Sequence, residues 1–492
     1  TLVRDRAGQK PVHYTRSEST LAFASEPAAL RGLPGPGSGQ GGAFEVDVQA
    51  MASYLALGYV PAPHSIWCDV EVLPPGHLLT VSPEGVGQAR RWWRFDPRPE
   101  SMSSEDAARR VRTLLATAVE RRTIADVPLG ALLSGGVDST AVTGLLQRFS
   151  DHPVRTFSIG FDDPVYDEGD WARRAADHLG TQHTHQVVEA PDAGVIDEIA
   201  TSFGVPFADS SAIPMRIVSR IAREEVTVAL TGDAGDELFA GYWRMHAVGL
   251  AAAIPGSLAG PASTLARLLP GGDFRSLARR AERLLDAARL PAPERLATWG
   301  GVFGGAAVGL LRDDVRAGVD GQAWLSTFEK VWAAHVGAVP LLPAVHATFE
   351  TYLPEDLLVK ADRTSMEYGL ELRSPFLDSE LVDFCATIPP ALHRRGNRLK
   401  AVLKDAVADV VPADILDRPK QGFGVPLPRW LRGPWRASVE ARLRDSASPL
   451  FAWLDHGVVD QLVVDHLDRG IDREHQIWAL LVLEAWLREQ QG

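Results

Sequence analysis

Three apolar runs in the centre of the chain, each followed by small polar residues and then by a helical pattern, predict a parallel β-sheet. The runs occupy residues 127–133, 154–161 and 226–230. Short apolar runs bounded by turn residues are typical of buried strands, and their alternation with helices favours a doubly wound sheet. Ligands of such sheets bind beyond the carboxyl ends of the strands. All three runs lead into Ser, Gly and Asp residues, which a nucleotide crevice needs.

The residues before these runs show a different pattern, in which short apolar segments alternate with turns. Two strands are predicted on either side of a turn at residues 74–76, and a short helix at residues 46–58. Further strands are predicted at residues 1–5, 11–14 and 21–25. Together these elements predict a small antiparallel α+β segment that is incomplete as a domain.

A linker and a capped helix separate this segment from the parallel sheet. Residues 96–99 (Asp-Pro-Arg-Pro) predict the linker, and Ser103 or Ser104 caps the helix that follows. The apolar residues of this helix fall on one face. From about residue 241 onward the pattern is mostly helical, without obvious repeats.

Composition excludes several classes of protein. The formal charge of −13 argues against a nucleic-acid-binding surface and an anionic membrane surface. The two cysteines, Cys68 and Cys385, cannot build a disulfide framework or a zinc site, and they fit a reducing cytoplasm. The most apolar stretches, residues 247–270 and 296–311, are interrupted by Gly and Pro or are too short for a membrane span. We expect both to form packed helices.

The turn after the first run predicts a phosphate-binding loop. It reads Leu-Leu-Ser-Gly-Gly-Val-Asp-Ser over residues 132–139. Glycines such as Gly135 and Gly136 let the backbone approach an anion, and the helix that follows presents free N–H groups. Ser134 and Ser139 add hydroxyl donors, and Asp138 can bind a metal that bridges phosphate oxygens. The Walker A pattern is absent. The alternative is an ordinary strand-to-helix turn.

The third run leads into a second polar loop, with two acidic residues that could act in catalysis or metal binding. It continues through Thr231, Gly232, Asp233 and Asp236 to Tyr242. Because the carboxyl ends of neighbouring parallel strands meet at one edge, we expect Asp138 and Asp236 to hold Mg²⁺ on a leaving pyrophosphate. The alternative is a solvated acidic loop.

These two loops and several blocks in the same order resemble the synthetase half of glutamine-hydrolysing asparagine synthetases. The blocks are residues 134–139, 157–161, 167–168, 232–242, 352–358 with Lys360, Asp362 and Arg363, then 371–378 and 418–426. The resemblance covers roughly residues 104–432. The β-lactam synthetases and lasso-peptide cyclases share this fold and loop.

The resemblance implies an architecture. The fold is that of the PP-loop adenine-nucleotide α-hydrolases, an α/β doubly wound parallel sheet with a helical C-terminal part. It divides the chain into residues 1–97, the end of an N-terminal-nucleophile glutaminase domain, and residues 103–490, an ATP-dependent asparagine synthetase domain.

The resemblance also implies a nucleotide site. Leu133 and Ile159 would flank the adenine or ribose, and the turn from Ser134 to Ser139 would hold pyrophosphate. Thr231 and Gly232 would lie against the nucleotide. ATP and Mg²⁺ are the cofactors implied, with the metal bound by Asp138 and Asp236.

Three catalytic candidates follow from the same resemblance. Asp233 stands where the family commonly has Glu, at a position tied to formation of the acyl-adenylate. The β-lactam synthetases have Tyr there, paired with the acid that matches Glu371, so Asp233 favours asparagine synthesis over ring closure. Glu371 would be catalytic or orienting, and the alternative is a buried partner for Arg373. Lys420 lies in a Pro-Lys-Gln-Gly turn.

Lys420 has a physical reason to act in this chemistry. A carboxylate attacks the α-phosphorus of ATP, pyrophosphate leaves, and an amine then attacks the acyl-AMP. Both steps build negative charge, which a rigidly placed cation stabilises. Without the motif, a surface lysine would be the simpler interpretation.

The beginning of the chain leaves three interpretations open. Family members start with a catalytic cysteine, whereas the first residue here is Thr1. The sequence may be a piece of a longer protein, which we favour, or a natural ammonia-dependent enzyme. Alternatively, Thr1 would be a nucleophile with its own amine as base, although the matching stretch in the family is an interior strand. The sequence does not identify any glutamine-binding residue.

The sequence therefore predicts a cytoplasmic amide ligase. Aspartate and ATP would form β-aspartyl-AMP, and ammonia, normally from glutamine, would give asparagine and AMP. The alternatives are an amide-forming synthetase of a specialised pathway, for β-lactam or peptide cyclisation, and a nucleotide-binding regulator with an inactive site. Its partners would be small substrates and, in a homodimer, a second copy, with no nucleic acid or membrane.

Overall fold

The computed structural model describes residues 1–16, 20–30, 45–82, 85–254, 284–418, 422 and 424–491. Its first ninety or so residues form small antiparallel sheets and one helix, as the sequence predicts. The strands are β1 (Leu2–Val3), β2 (His13–Arg16), β3 (Leu21–Ala24), β4 (Glu71–Val72), β5 (His77–Leu79), β6 (Val81–Ser82), β7 (Gly85–Val86) and β8 (Arg90–Arg91). They pair in the orders β1–β5–β8 and β3–β2–β4, with β6 and β7 as a separate pair.

A five-stranded parallel sheet forms the centre of the described chain. Its strands are β9 (Leu129–Leu132), β10 (Arg155–Phe161), β11 (Gln182–Val188), β12 (Val228–Leu230) and β13 (Glu371–Arg373). The order across the sheet is β11–β10–β9–β12–β13. The chain reverses its direction of progress between β9 and β12, and the crevice beyond such a switch point is where doubly wound sheets bind ligands.

The three predicted strands are confirmed as β9, β10 and β12, and the two edge strands were missed. The edge strand β11 reads Gln-His-Thr-His-Gln-Val-Val, and most of its residues are only partly buried. The other edge strand, β13, has three residues, two of them charged. An edge strand needs no continuous apolar run because one side meets solvent or other elements, so neither segment carried the expected pattern.

Helices surround the sheet and make up most of the chain after β12. They are α1 (Val48–Leu57), α2 (Ser104–Arg121), α3 (Val137–Arg148), α4 (Gly169–Leu179), α5 (Val195–Phe203), α6 (Ala212–Arg223), α7 (Gly235–Leu238), α8 (Trp243–Ala252), α9 (Ala292–Gly300), α10 (Asp313–Arg316), α11 (Ser326–Ala334), α12 (Leu341–Glu350), α13 (Leu358–Met366), α14 (Ser379–Cys385), α15 (Ala401–Ala406), α16 (Ala413–Asp417), α17 (Leu427–Arg432), α18 (Arg436–Leu443), α19 (His456–Leu467) and α20 (Glu474–Gln491).

Short irregular elements connect them. Short 3₁₀ segments lie at Pro27–Leu30, Gly304–Leu310, Ala323–Leu325, Pro375–Leu377, Pro390–Leu392 and Pro449–Ala452, a π-turn at Leu353–Leu357, and a hairpin at β14 (Arg394–Arg395) and β15 (Arg398–Leu399).

The expected helix at residues 247–270 is described only to residue 254, and residues 255–270 lie outside the described part. No helix in the described ranges is long and apolar enough to cross a membrane.

Helix boundaries follow local capping. The side chain of Ser103 accepts a hydrogen bond from the backbone of Asp106 and starts α2, and Asp47 starts α1 in the same way. Gly58, with a φ of 94°, ends α1. A left-handed residue after the last turn is a common helix stop, and glycine adopts it without strain. The predicted helix at residues 46–58 is thus confirmed.

The N-terminal segment shares one core with the rest of the chain. Trp67 packs on Trp486 of α20 at 4.9 Å between ring centroids. The Tyr54 hydroxyl donates to the carbonyl of Ala479 at 2.8 Å. Helix α20 is apolar around most of its circumference, as expected for a helix enclosed by protein. The proposed division of the chain near residues 97–103 stays a prediction.

Charged groups also join the N-terminal segment to α13 and the π-turn before it. Arg4 is almost fully buried and forms an ion pair with Glu355 at 3.4 Å. Lys10 pairs with Asp362, and Arg363 donates to the carbonyl of Ser25 at 2.6 Å. The Arg4–Glu355 pair is buried on both sides, and a buried ion pair that loses one partner is strongly destabilised, so this pair fixes the relative position of the two parts.

His13, on β2, should make stability depend on pH. Burial, followed by the charges of Arg363 and Arg4, lowers the pKa of His13 from 6.5 to about 3. The native state therefore binds fewer protons than the unfolded state below about pH 6.5, and stability is lost as the pH falls from there toward the folded pKa. His13→Gln should reduce this loss by about 1.4 kcal/mol per pH unit.

Urea unfolding followed by tryptophan fluorescence, between about pH 7 and about pH 5, measures this dependence. His64→Gln is the matched control because His64 is an exposed histidine of the same segment. Equal pH slopes for His13→Gln and the wild type would contradict the assignment.

Candidate functional site

The first predicted loop joins β9 to α3. Gly135 adopts a φ of 70°, and a Cβ atom on it would lie 2.4 Å from the carbonyl carbon of Trp171. Only glycine fits there. The hydroxyl groups of Ser134 and Ser139 are 3.1 Å apart, and Ser139 also donates to the carbonyl of Gly136 at 3.2 Å. The serines therefore close the turn around the first residues of α3, whose N–H groups lack helical partners.

The second predicted loop follows β12 and packs directly on the first. A Cβ atom on Gly232 would lie 2.7 Å from the backbone nitrogen of Ser139. Asp233 is held from two sides, because Thr231 donates to its carboxylate at 2.7 Å and Ser374 donates to its carbonyl at 2.6 Å. The loop therefore brings Asp233 to the carboxyl end of the sheet in a fixed conformation.

The two acids assigned to the metal lie against a single ammonium group. Lys400 forms ion pairs with both Asp138 and Asp236, and all three side chains are largely buried. Lys400 has a left-handed backbone, with a φ of 52°. Such a conformation costs a non-glycine residue about 1–3 kcal/mol, and it persists where the surroundings determine it. At this position the two carboxylates hold the ammonium group of Lys400.

The acid pair suits Mg²⁺ by its chemistry. Carboxylate oxygens are the ligands that Mg²⁺ prefers, and the ion commonly takes one or two of them and fills its shell with water and substrate phosphates. Among the described residues, no group of three or more His, Cys, Asp or Glu side chains could hold a metal ion. Asp138 and Asp236 therefore fit a metal that also binds phosphate, and their role stays a prediction.

The remaining predicted site residues do not all lie at the two loops. Leu133 and Ile159 are almost fully buried in the main core beside the crevice. Glu371 is half exposed, pairs with Arg373 at 2.7 Å, and begins β13 in register with Val228. It therefore lies at the amino end of the sheet, and the structure does not bring it to the two loops. Lys420 lies outside the described residues.

Arg418, two residues before Lys420, contacts the first loop. Its guanidinium donates to the carbonyl of Gly135 at 3.1 Å, pairs with Glu168 and lies 5.0 Å from the ring centre of Trp171. Arg418, the last described residue before Lys420, thus lies beside the predicted phosphate loop.

Sequence reasoning missed Lys400, and it assigned no role to Lys360 or Asp209. Lys400 follows a short hairpin and carries no local signal of a site. Lys360 was noted only as part of a family block, and its ammonium pairs with Asp209 at 2.6 Å in a buried position. Burial alone would lower the pKa of Lys360, but nearby carboxylates, Asp209 first and Asp233 among them, raise it.

Fold and site together define a class. A doubly wound parallel sheet with a glycine-rich loop and an acidic loop at its switch point is typical of nucleotide-binding α/β proteins. The family model described as asparagine synthase matches residues 110–488, and one described as glutamine amidotransferase domain matches residues 1–93. The chain belongs to the asparagine synthase family.

Bacterial and fungal relatives match most of the length of this chain. Asparagine synthetase [glutamine-hydrolyzing] 1 of Bacillus subtilis is 28% identical, over 98% of this chain and 74% of that protein. A putative asparagine synthetase [glutamine-hydrolyzing] of Mycobacterium tuberculosis is 30% identical, over 98% of this chain and 73% of that protein. The fungal amidase chry2 of Gibberella zeae is 24% identical over 89% of this chain and 69% of that protein.

The NMN synthetase of Francisella tularensis aligns over 56% of this chain and 99% of that chain, with 12% identity and a TM-score of 0.21. A TM-score this low does not establish a shared fold.

Lys400→Met should destabilise the folded chain. It leaves two buried carboxylates without their shared cation, and loss of one partner from a buried charge cluster costs about 3–5 kcal/mol. Millimolar Mg²⁺ should restore part of this loss, because it binds the paired acids of the native state. Urea unfolding with and without Mg²⁺ measures both effects.

Lys330→Met provides the control for this change, because Lys330 is exposed on α11. Surface substitutions of this kind usually change stability by less than about 0.5 kcal/mol. A Lys400→Met protein as stable as the control would show that the two carboxylates do not depend on the ammonium group.

Proposed function

We propose that this chain uses ATP to convert aspartate into β-aspartyl-AMP and pyrophosphate, and then uses ammonia to form asparagine and AMP. As a member of the asparagine synthase family it is an ATP-using, amide-forming ligase. The observation that carries the proposal is the contact of the two loops at the switch point, where Gly232 packs on Ser139. This contact supports the proposal because it joins the loop that would bind phosphate to the loop of Asp233 and Asp236.

The nucleotide would lie across the two loops. The turn at Ser134–Ser139 would hold the pyrophosphate with backbone N–H groups at the start of α3. Thr231 and Gly232 would lie along the nucleotide, with Leu133 and Ile159 beside the adenine or ribose. Asp138 and Asp236 would hold Mg²⁺, which neutralises charge on the leaving pyrophosphate. Lys400 would keep the two acids together until the metal and phosphates arrive.

Asp233 and Lys420 are the catalytic residues we propose. Asp233 lies in the second loop, fixed by Thr231 and Ser374, where it would orient the activated carboxyl group. Lys420 would stabilise the charge that builds on phosphorus and then on the tetrahedral carbon. Glu371 is not included, because it lies at the opposite end of its strand.

The N-terminal segment would take part in supplying ammonia from glutamine. Residues 1–97 would form part of a glutamine amidotransferase domain, and residues 103–490 the synthetase domain. The ion pairs of Arg4 and Lys10 with the π-turn and α13 support a fixed arrangement of the two. Ammonia released from glutamine would then be used next to where it forms.

A second candidate function is the formation of an amide in a specialised pathway. The two fungal relatives named amidases, 24% identical to this chain, favour it. The adenylate chemistry would be the same, and only the acceptor would differ. We further propose that the protein is cytoplasmic and forms a homodimer. Light scattering of the purified protein would test the homodimer.

Pyrophosphate release tests the main proposal. With Mg-ATP, aspartate and ammonium, the purified chain should release pyrophosphate and form asparagine, and product identity is checked by mass spectrometry. Asp138→Asn and Asp236→Asn keep side-chain shape but remove the charge for the metal, so both should lower kcat strongly. Lys420→Met should lower kcat by a factor of about 10²–10³.

Asp362→Asn serves as the control, because Asp362 pairs with Lys10 on the face of α13 that meets the N-terminal segment. Its rate with ammonium should stay close to that of the wild type. If the chain binds Mg-ATP but aspartate does not cause release of pyrophosphate, asparagine synthesis would be ruled out. Another carboxylate would then be favoured as the acceptor.

A further inference from the structure

The guanidinium group of Arg418 lies between the predicted phosphate loop (residues 134–139) and the start of α4. It donates to the carbonyl of Gly135 at 3.1 Å and forms an ion pair with Glu168, the residue before α4. Its central carbon lies 5.0 Å from the ring centre of Trp171, in the first turn of α4. The side chains of Arg418 and Glu168 are 6% and 11% exposed. The acid and the indole ring therefore hold a buried guanidinium group against the loop.

The peptide group that Arg418 contacts is weakly restrained by its own residues. It joins Gly135 to Gly136, and neither residue has a Cβ atom that would oppose rotation of the peptide plane. Gly135 has a left-handed φ of 70°, whereas Gly136 has an extended backbone with a φ of −83° and a ψ of 161°. Glycine adopts both kinds of conformation readily, so a contact from elsewhere has to select one orientation of this peptide.

The orientation of this peptide decides which of its groups would face pyrophosphate. In a trans peptide the carbonyl and N–H groups point in opposite directions. The carbonyl of Gly135 points to Arg418, and the N–H group of Gly136 donates to the Ser134 hydroxyl at 3.4 Å. The Ser139 hydroxyl lies 3.1 Å from that of Ser134, so the three groups converge. In the opposite orientation, a carbonyl oxygen would face the anion and repel it.

We propose that Arg418 is a positioning residue, which locks the Gly135–Gly136 peptide so that the N–H group of Gly136 faces the pyrophosphate of ATP. Glu168 and Trp171 hold the guanidinium group in place for this task. This role rests on the proposed function, and it adds how the loop is kept ready before the nucleotide binds. Donors that are already oriented stabilise charge without reorganising during the reaction.

Arginine is suited to this position by its shape as well as its charge. Its N–H donors form a rigid, planar fork, and the flat group also stacks on aromatic rings. One side chain can therefore serve the Gly135 carbonyl and the Glu168 carboxylate at once while it lies on Trp171. A lysine ammonium group is a point charge on a flexible stem, and it does not provide this combination.

Binding of pyrophosphate measures the state of the loop. Calorimetry on the full chain gives the affinity for pyrophosphate with Mg²⁺, and the affinity for adenosine, which has no phosphate to place on the loop. Arg418→Gln should weaken the binding of pyrophosphate about 10-fold, the usual effect of losing one charged hydrogen bond. It should leave the affinity for adenosine unchanged, whereas general damage to the fold would affect both ligands.

Two further variants separate position from charge. Arg418→Lys keeps the positive charge next to Glu168, which covers the case in which Arg418→Gln does not fold, and it should still weaken the binding of pyrophosphate. Glu168→Gln removes a negative charge near the loop, so an effect of charge alone predicts tighter binding of an anion. The positioning role predicts weaker binding, because Arg418 loses the acid that anchors it.

Arg174→Gln is the matched control. Arg174 also lies over the ring of Trp171, at 5.2 Å, but its side chain is 62% exposed and pairs with Asp414 at 3.6 Å. Its affinity for pyrophosphate should equal that of the wild type. Amide hydrogen exchange, measured by mass spectrometry without ligand, should be faster over residues 132–140 in both Arg418 variants than in Arg174→Gln.

The outcomes separate the positioning role from the proposed function. Unchanged binding of pyrophosphate in either Arg418 variant, tighter binding by Glu168→Gln, or an equal loss of adenosine binding would overturn the positioning role. The expected losses, with a wild type that releases no pyrophosphate from ATP when aspartate is added, would remove the proposed function and leave the positioning role standing. A wild type that binds neither pyrophosphate nor ATP would overturn both.

Discussion

The ammonium group of Lys400 lies between the carboxylates of Asp138 and Asp236, and the closeness of the two loops depends on this contact. Each acid is at the start of a helix that follows a central strand, and the loops pack so tightly that glycine is required at positions 232 and 235. Two carboxylates that contact the same ammonium group are close together, and they repel each other strongly in a poorly solvated site. A shared cation relieves this repulsion, and the protein supplies it with Lys400, which directly follows a hairpin far along the chain.

The close packing of the two loops also restricts the residues around them. Gly135 has no room for a side chain because Trp171 lies against it, and Arg418 holds its carbonyl from the other side. Asp233 is fixed through Thr231 and Ser374. These contacts come from five separate stretches of sequence that meet at one edge of the sheet. A site of this kind needs little rearrangement when a nucleotide binds, which is an advantage for charge stabilisation.

Helix α13 and the π-turn before it join the N-terminal segment to a buried charged cluster. Glu355, Asp362 and Arg363 contact the N-terminal residues, whereas Asp356 and Lys360 contact Asp209. A π-turn places one extra residue in the helix and changes which side chains share a face, and such turns often occur at functional sites. The helix therefore supports the interface on one side and the charged cluster on the other.

The sequence by itself determined the three central strands, the loops that follow two of them and the family, because these depend on local apolar runs and on motifs in order. It also placed the antiparallel N-terminal strands and the cap of α2. Only the tertiary structure decided that β11 and β13 form the sheet edges, since edge strands carry no apolar run. Strand register placed Glu371 at the amino end of β13, away from the two loops. Lys400 became a site residue through contacts with partners more than a hundred residues away, and no local pattern encodes such distances.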